Sequence, residues 1–88
     1  MTKNDVFLNS YNALPTGSFF GVFKGARYAI TRTLSEDVKR SWLYAEELGG
    51  TNYISCNVYF LESGARLKPC EMPEDKVKTF ILGVELLA

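Results

Sequence analysis

Histidine is absent from this 88-residue chain. That removes the side chain whose charge changes near neutral pH, and with it imidazole acid–base catalysis and imidazole-ligated metal. There are only two cysteines, Cys56 and Cys70, too few for a structural zinc site or a dense disulfide framework. Net charge is also missing: ten Lys and Arg balance ten Asp and Glu, so a general affinity for polyanions is not expected. No apolar run approaches the roughly 20 residues that cross a bilayer. The opening "MTKNDVFLNSYNAL" has no long apolar stretch and no small-residue cleavage signal, so no signal peptide is read there. These absences point to a soluble cytoplasmic protein without cofactor, metal or membrane.

What is present is apolar and aromatic side chain, 47% and 14% of the residues. A chain this short holds one domain and must build a dense core to fold. The charge is unevenly spread. Residues 24–40 carry five basic and two acidic side chains, and residues 41–88 carry four basic and seven acidic. This mild polarity could orient a partner and is weak evidence for nucleic acid.

The chain opens as a short helix, because Phe7, Tyr11 and Leu14 fall on one face at helical spacing. Asn4 or Asp5 is expected to cap it, and "LPTGS" to end it. From Ser18 to Cys70 the pattern is β: "SFFGVF", "ARYAITRTL", "RSWLYAEEL", "YISCNVYFL" and "RLKPC", separated by short turns. Then "MPEDKVKTFILGVELLA" changes period, with Pro73 at the first helical position and Val77, Phe80, Ile81 and Val84 forming a stripe. Gly83 weakens the last turn of that helix, which is expected to fray. The predicted fold is α+β: a five-stranded antiparallel meander in the order 1-2-3-4-5, curled toward an SH3-like partial barrel, with a C-terminal helix and a short N-terminal one.

Strand parity sorts the side chains. A turn at Lys24-Gly25 pairs Phe23 with Ala26, and therefore Phe19 with Ile30 and Gly21 with Tyr28. A turn around Gly49-Gly50 places Leu43, Ala45, Ile54, Cys56, Val58 and Phe60 together as core. Trp42, Tyr44, Glu46, Tyr53, Ser55, Asn57 and Tyr59 lie opposite. A turn at Ser63-Gly64 pairs Phe60 with Leu67 and Tyr59 with Lys68, which sets Cys70 on the Tyr59 side. The expected core is Phe19, Ile30, Leu43, Ile54, Cys56, Val58, Phe60, Leu67, Phe80 and Ile81.

Cysteines on opposite faces of adjacent strands cannot meet with disulfide geometry, so a Cys56–Cys70 bridge is not expected. Cys56 reads as a small buried hydrophobe. Cys70 stands at a strand end beside a helix N-terminus, a place that can lower a thiol pKa, and is the one candidate reactive thiol.

The run "YAEELGGTNYISCNVYFLESGARLKPCEMPEDKV", Tyr44 to Val77, resembles a family of short uncharacterised bacterial proteins with an "AEELGG…YIS-N-Y…LKPCEMP" pattern. Some members carry a peptide methionine sulfoxide reductase label. The residues here do not support that activity: the sequence has no GCFWG-like loop, no CxxC pair and no histidine. The resemblance therefore implies a compact, accessory protein and carries over no catalytic residue.

Three functions remain to be weighed. The leading expectation is a non-catalytic binding module acting through Trp42, Tyr44, Tyr53, Asn57, Tyr59 and Lys68, with a protein partner or a second copy of the chain as a homodimer. The structural alternative is that a helix covers this face. A second expectation is nucleic-acid binding, with Arg27, Arg32, Lys39, Arg40 and Lys68 beside Trp42, Tyr53 and Tyr59. A third is a thiol enzyme using Cys70, with Glu71 or Glu46 as its base, for which no base–nucleophile–orienter set is visible.

Overall fold

The computed structural model describes residues 3–62 and 64–87. The elements run α1 (Lys3–Asn12), β1 (Gly17–Phe23), β2 (Ala26–Leu34), β3 (Arg40–Glu47), β4 (Tyr53–Leu61), β5 (Gly64–Pro69), α2 (Glu74–Gly83) and β6 (Glu85–Leu86). The class is α+β, but the sheet has six strands rather than five, in the order β5-β4-β3-β2-β1-β6. All neighbours are antiparallel. The order is linear, ending at β5 and β6, so strand pairing leaves an open sheet rather than a closed barrel.

The first hairpin turns as the sequence predicts. Lys24 and Gly25 both take positive φ, 50° and 79°, the conformation a two-residue turn needs to match strand twist. Phe19 then faces Ile30 and Gly21 faces Tyr28. The β3–β4 register also follows the expected parity, with Leu43 opposite Cys56 and Ala45 opposite Ile54. The β4–β5 register differs. Phe60 faces Ala65 rather than Leu67, and Tyr59 faces Arg66 rather than Lys68. Pairing continues toward the turn as far as Leu61 opposite Gly64, whose φ of 123° suits only glycine. The slip is two residues along β5, so every side chain keeps its predicted face.

Both helices lie on one face of the sheet. Phe7, Tyr11 and Leu14 of the N-terminal segment and Val77, Phe80 and Ile81 of α2 join Tyr28, Ile30, Leu43, Ala45, Ile54, Cys56 and Val58 in one buried cluster. Phe19, Phe60 and Leu67, expected in the core, are half-buried at its margin. Burying a large apolar side chain stabilises by about 1.5–3 kcal/mol, so helices with such stripes settle on the apolar side of the sheet. Phe23, Tyr28 and Phe80 meet as an aromatic trio with centroids 5.0–6.2 Å apart.

The helix termini depart from the sequence reading. α1 already includes Asn4 and Asp5, so neither is its cap. Pro73 is the residue before α2, at φ −64° and ψ 144°, rather than its first helical residue. Glu74 and Asp75 do occupy the first turn, where the helix dipole favours negative charge. The last turn is formed through Gly83 and closed by the Val84 N–H on the Phe80 carbonyl at 2.8 Å. The chain leaves α2 at Gly83, Val84 turns extended, and Glu85–Leu86 adds β6 to the edge of β1. Two glycines allow this approach. A Cβ on Gly21 would lie 2.7 Å from Val84 Cγ2, and one on Gly83 would lie 3.0 Å from the Phe23 ring.

Two polar side chains, Arg32 and Ser41, are buried beside the core. Arg32 shares the helix-covered face, alternating with Ile30, and is 6% exposed. Its guanidinium lies 4.6 Å from the Tyr11 ring centroid and bonds to the Leu14 carbonyl. Among the described residues, no helix is long and apolar enough to cross a membrane.

Candidate functional site

Since both helices share one face, the opposite face has no element of the described chain over it. Parity puts Trp42, Tyr44 and Glu46 of β3, Tyr53, Ser55, Asn57 and Tyr59 of β4, and Arg66 and Lys68 of β5 on that side. All six side chains read from the sequence as a binding face therefore lie together. The alternative, a helix covering them, is not what the fold adopts.

The aromatic rings form a ladder. Trp42 and Tyr44, two apart on β3, are stacked with centroids 5.9 Å apart and planes 10° from parallel. Tyr44 continues diagonally to Tyr53 on β4 at 6.3 Å. Trp42 and Tyr53 are 36% and 38% exposed, large for rings on a sheet. Phe20 on β1, outside the six residues named from the sequence, is 54% exposed on the same side. The Lys76 ammonium reaches around from α2 to lie 5.5 Å from the Tyr53 centroid.

Register orders the polar side chains into rows. Trp42, Asn57 and Lys68 stand directly across β3, β4 and β5, and Arg40, Tyr59 and Arg66 form the next row. Arg66 is absent from the sequence-based set, although its spacing of two from Lys68 is the available signal. Arg32, by contrast, is withdrawn from it: it is buried on the opposite face against Tyr11 and cannot touch a ligand here. Lys39 sits in the exposed turn between β2 and β3, outside the rows. A recess of about 310 Å³ opens beside the first row, lined by Thr33, Leu34, Ser35, Arg40, Trp42 and Asn57.

The two cysteines are free and lie on opposite faces. Burial pushes the Cys56 thiol up to about 12, with the neighbouring Cys70 adding to it, so Cys56 is a neutral core group. Cys70 extends the β4–β5 ladder through its N–H to the Ser55 carbonyl at 2.9 Å, and its sulfur accepts the Asn57 amide at 3.7 Å. No carboxylate is hydrogen-bonded to that sulfur among the described residues. Nor does any group of three acidic or cysteine side chains among them sit close enough to hold a metal ion.

A second concavity, about 460 Å³, lies on the helix side between α2 and the strand ends. Lys24, Glu47, Asp75 and Lys76 line it with charges of both signs, and Asn52 donates to the Tyr28 hydroxyl at 2.8 Å within it. Asn52 also donates its backbone N–H to Glu47 Oε1 at 3.2 Å, and the mixed charges present no set suited to a single ligand chemistry.

Fold and face together define an open α+β sheet, helices on one side and an uncovered aromatic surface on the other. No family model, no curated protein and no solved structure matches this chain.

Proposed function

We propose that this protein is a non-catalytic binding module whose working surface is the uncovered sheet face. The observation that carries the reading is the placement of both helices on one side, which leaves Trp42 and Tyr53 exposed and Tyr44 and Tyr59 half-buried outside the core. Exposed tryptophan and tyrosine side chains supply large, rigid contact area with a polar edge, the usual anchors of recognition. A thiol-enzyme reading of Cys70 has no supporting contact, since the group bonded to its sulfur is an amide rather than a base. The two free cysteines suit a reducing compartment such as the cytoplasm.

A double substitution, Trp42→Ala with Tyr59→Ala, tests the reading. Both residues lie outside the core, so the variant should keep its circular dichroism and unfold within a few degrees of the parent. Affinity capture with the parent and the variant should then differ, the variant losing the retained partner or the self-association. A folded variant that retains every partner of the parent removes this face from the function.

A further inference from the structure

The uncovered face is basic as well as aromatic, and the arrangement is directional. Arg27, Arg40, Arg66 and Lys68 project from it, all exposed, against Glu46 and Glu85. Glu46 lies at the Arg27 end of the strands, opposite Tyr53, and Glu85 lies on the far edge strand. The other end holds Arg40, Arg66 and Lys68 with no carboxylate among its strand positions, and acids reappear only in the flanking turns at Glu36, Asp37 and Glu62. Those three cations surround Tyr59, Asn57 and Trp42 in two adjacent rows, which strand geometry sets about 7 Å apart.

Resting on the reading of this face as a binding surface, we infer that its partner is single-stranded nucleic acid. Two independent features agree. The charge of the patch complements a phosphate backbone, and a second copy of the same patch would bring cations against cations. The recess of about 310 Å³ beside Trp42 and Asn57 is bounded by Arg40. It offers a ring to stack on, an amide to bond a base edge and a guanidinium for phosphate. Six strands spaced about 4.8 Å apart are wider than the roughly 12 Å major groove of a duplex, whereas unpaired bases can lie on such a surface. Bases would stack on Trp42 and Tyr59 while the backbone tracks Arg40, Arg66 and Lys68.

The test is fluorescence anisotropy with labelled twelve-nucleotide oligothymidine, oligouridine and a duplex of equal length, run beside light scattering of the same samples. Binding to the single strands over the duplex is expected. Neutralising three phosphates gives a logarithmic salt slope near −2, so affinity should fall about 20-fold between 50 and 200 mM salt. Arg66→Gln should flatten that slope by about 0.7, and Tyr59→Leu should weaken binding about fivefold or more. The Arg66→Gln and Tyr59→Leu chains are checked for intact fold by their thermal transitions. Duplex preference, or single-strand binding indifferent to both substitutions, overturns the assignment. No oligonucleotide binding, with self-association lost in Trp42→Ala, overturns the nucleic-acid partner and keeps the binding face. Neither oligonucleotide binding nor self-association overturns the nucleic-acid partner, and the partner capture described above then decides the face by itself.

Discussion

The Arg32 guanidinium donates from Nη1 to the Leu14 carbonyl oxygen at 2.8 Å, joining the centre of the sheet to the turn that follows α1. A helix end leaves carbonyls unpaired, and a cation beside them is favourable. The same guanidinium lies over the Tyr11 ring, so one side chain ties both α1 and the turn after it to the sheet.

Replacing Arg32 with alanine should therefore loosen α1 first. The change removes a charge-assisted hydrogen bond and buried packing, a loss of about 2–3 kcal/mol. Urea titration should show that loss, and hydrogen exchange should speed up in α1 before it does in β3 and β4. An Arg32→Ala chain with parental stability and parental exchange in α1 would rule out this anchoring role.

A hydrogen-bond relay lies beside it. Ser41 Oγ donates to the Thr33 carbonyl at 2.6 Å, so its contact with Tyr11 Oη, also 2.6 Å, must use the tyrosine proton. Tyr11→Phe removes one bond and leaves Ser41 with its other, at about 1 kcal/mol. Ser41→Ala strands the fully buried tyrosine hydroxyl and should cost more, up to about 3 kcal/mol. Denaturation midpoints of the two variants give the order directly, and the reverse order would refute the relay.

Alkaline pH should destabilise the fold through the same region. The Cys56 thiol is raised from an ordinary 9.0 to about 12, chiefly by burial, and burial also raises Tyr11 above its ordinary 10.0. Both groups keep in the folded state a proton that the unfolded chain releases. The stability from Cys56 is thus complete below pH 9 and is lost as pH climbs toward 12, at about 1.4 kcal/mol per pH unit in that window. Urea midpoints measured from pH 8 to pH 11 should fall, and Cys56→Ala should flatten the decline. At pH 8 a thiol reagent should label one cysteine, Cys70, in the native protein and both after denaturation.

Val38 offers a substitution in the stabilising direction. It is 59% exposed and adopts a φ of 59°, a left-handed conformation that a β-branched residue resists. The turn holds it there through Ser35, whose hydroxyl donates to Asp37 at 2.6 Å and accepts the Arg40 N–H at 3.0 Å. Asparagine tolerates this conformation, so Val38→Asn should add about 1 kcal/mol and raise the melting temperature by several degrees. An unchanged or lower transition would show that the turn carries no such strain.

Much of the sheet is legible in the sequence. Lys24-Gly25 and Gly49-Gly50 mark two hairpins, and the strict alternation of "YISCNVYFL" sorts Cys56 from Tyr53, Asn57 and Tyr59. Parity survives even where register does not, because the β5 slip is two residues. Arg32 is the instructive miss. Alternation puts it on the core face, yet an arginine among threonines reads as solvent-facing until a helix end needs a cation. β6 is hidden for a similar reason: "GVELLA" continues the apolar composition of α2, and only the open edge of β1 turns it into strand.

Local pattern by itself determined which side chains share a face, since a strand alternates and a tight turn sets parity whatever surrounds it. It also determined that two apolar helical stripes must be buried. It did not determine where. Each stripe could have covered either side of the sheet, and that choice depends on the summed burial of distant residues rather than on any local run. The tertiary structure put both helices over Leu43, Cys56 and Val58, and so left the Trp42 face open to a partner.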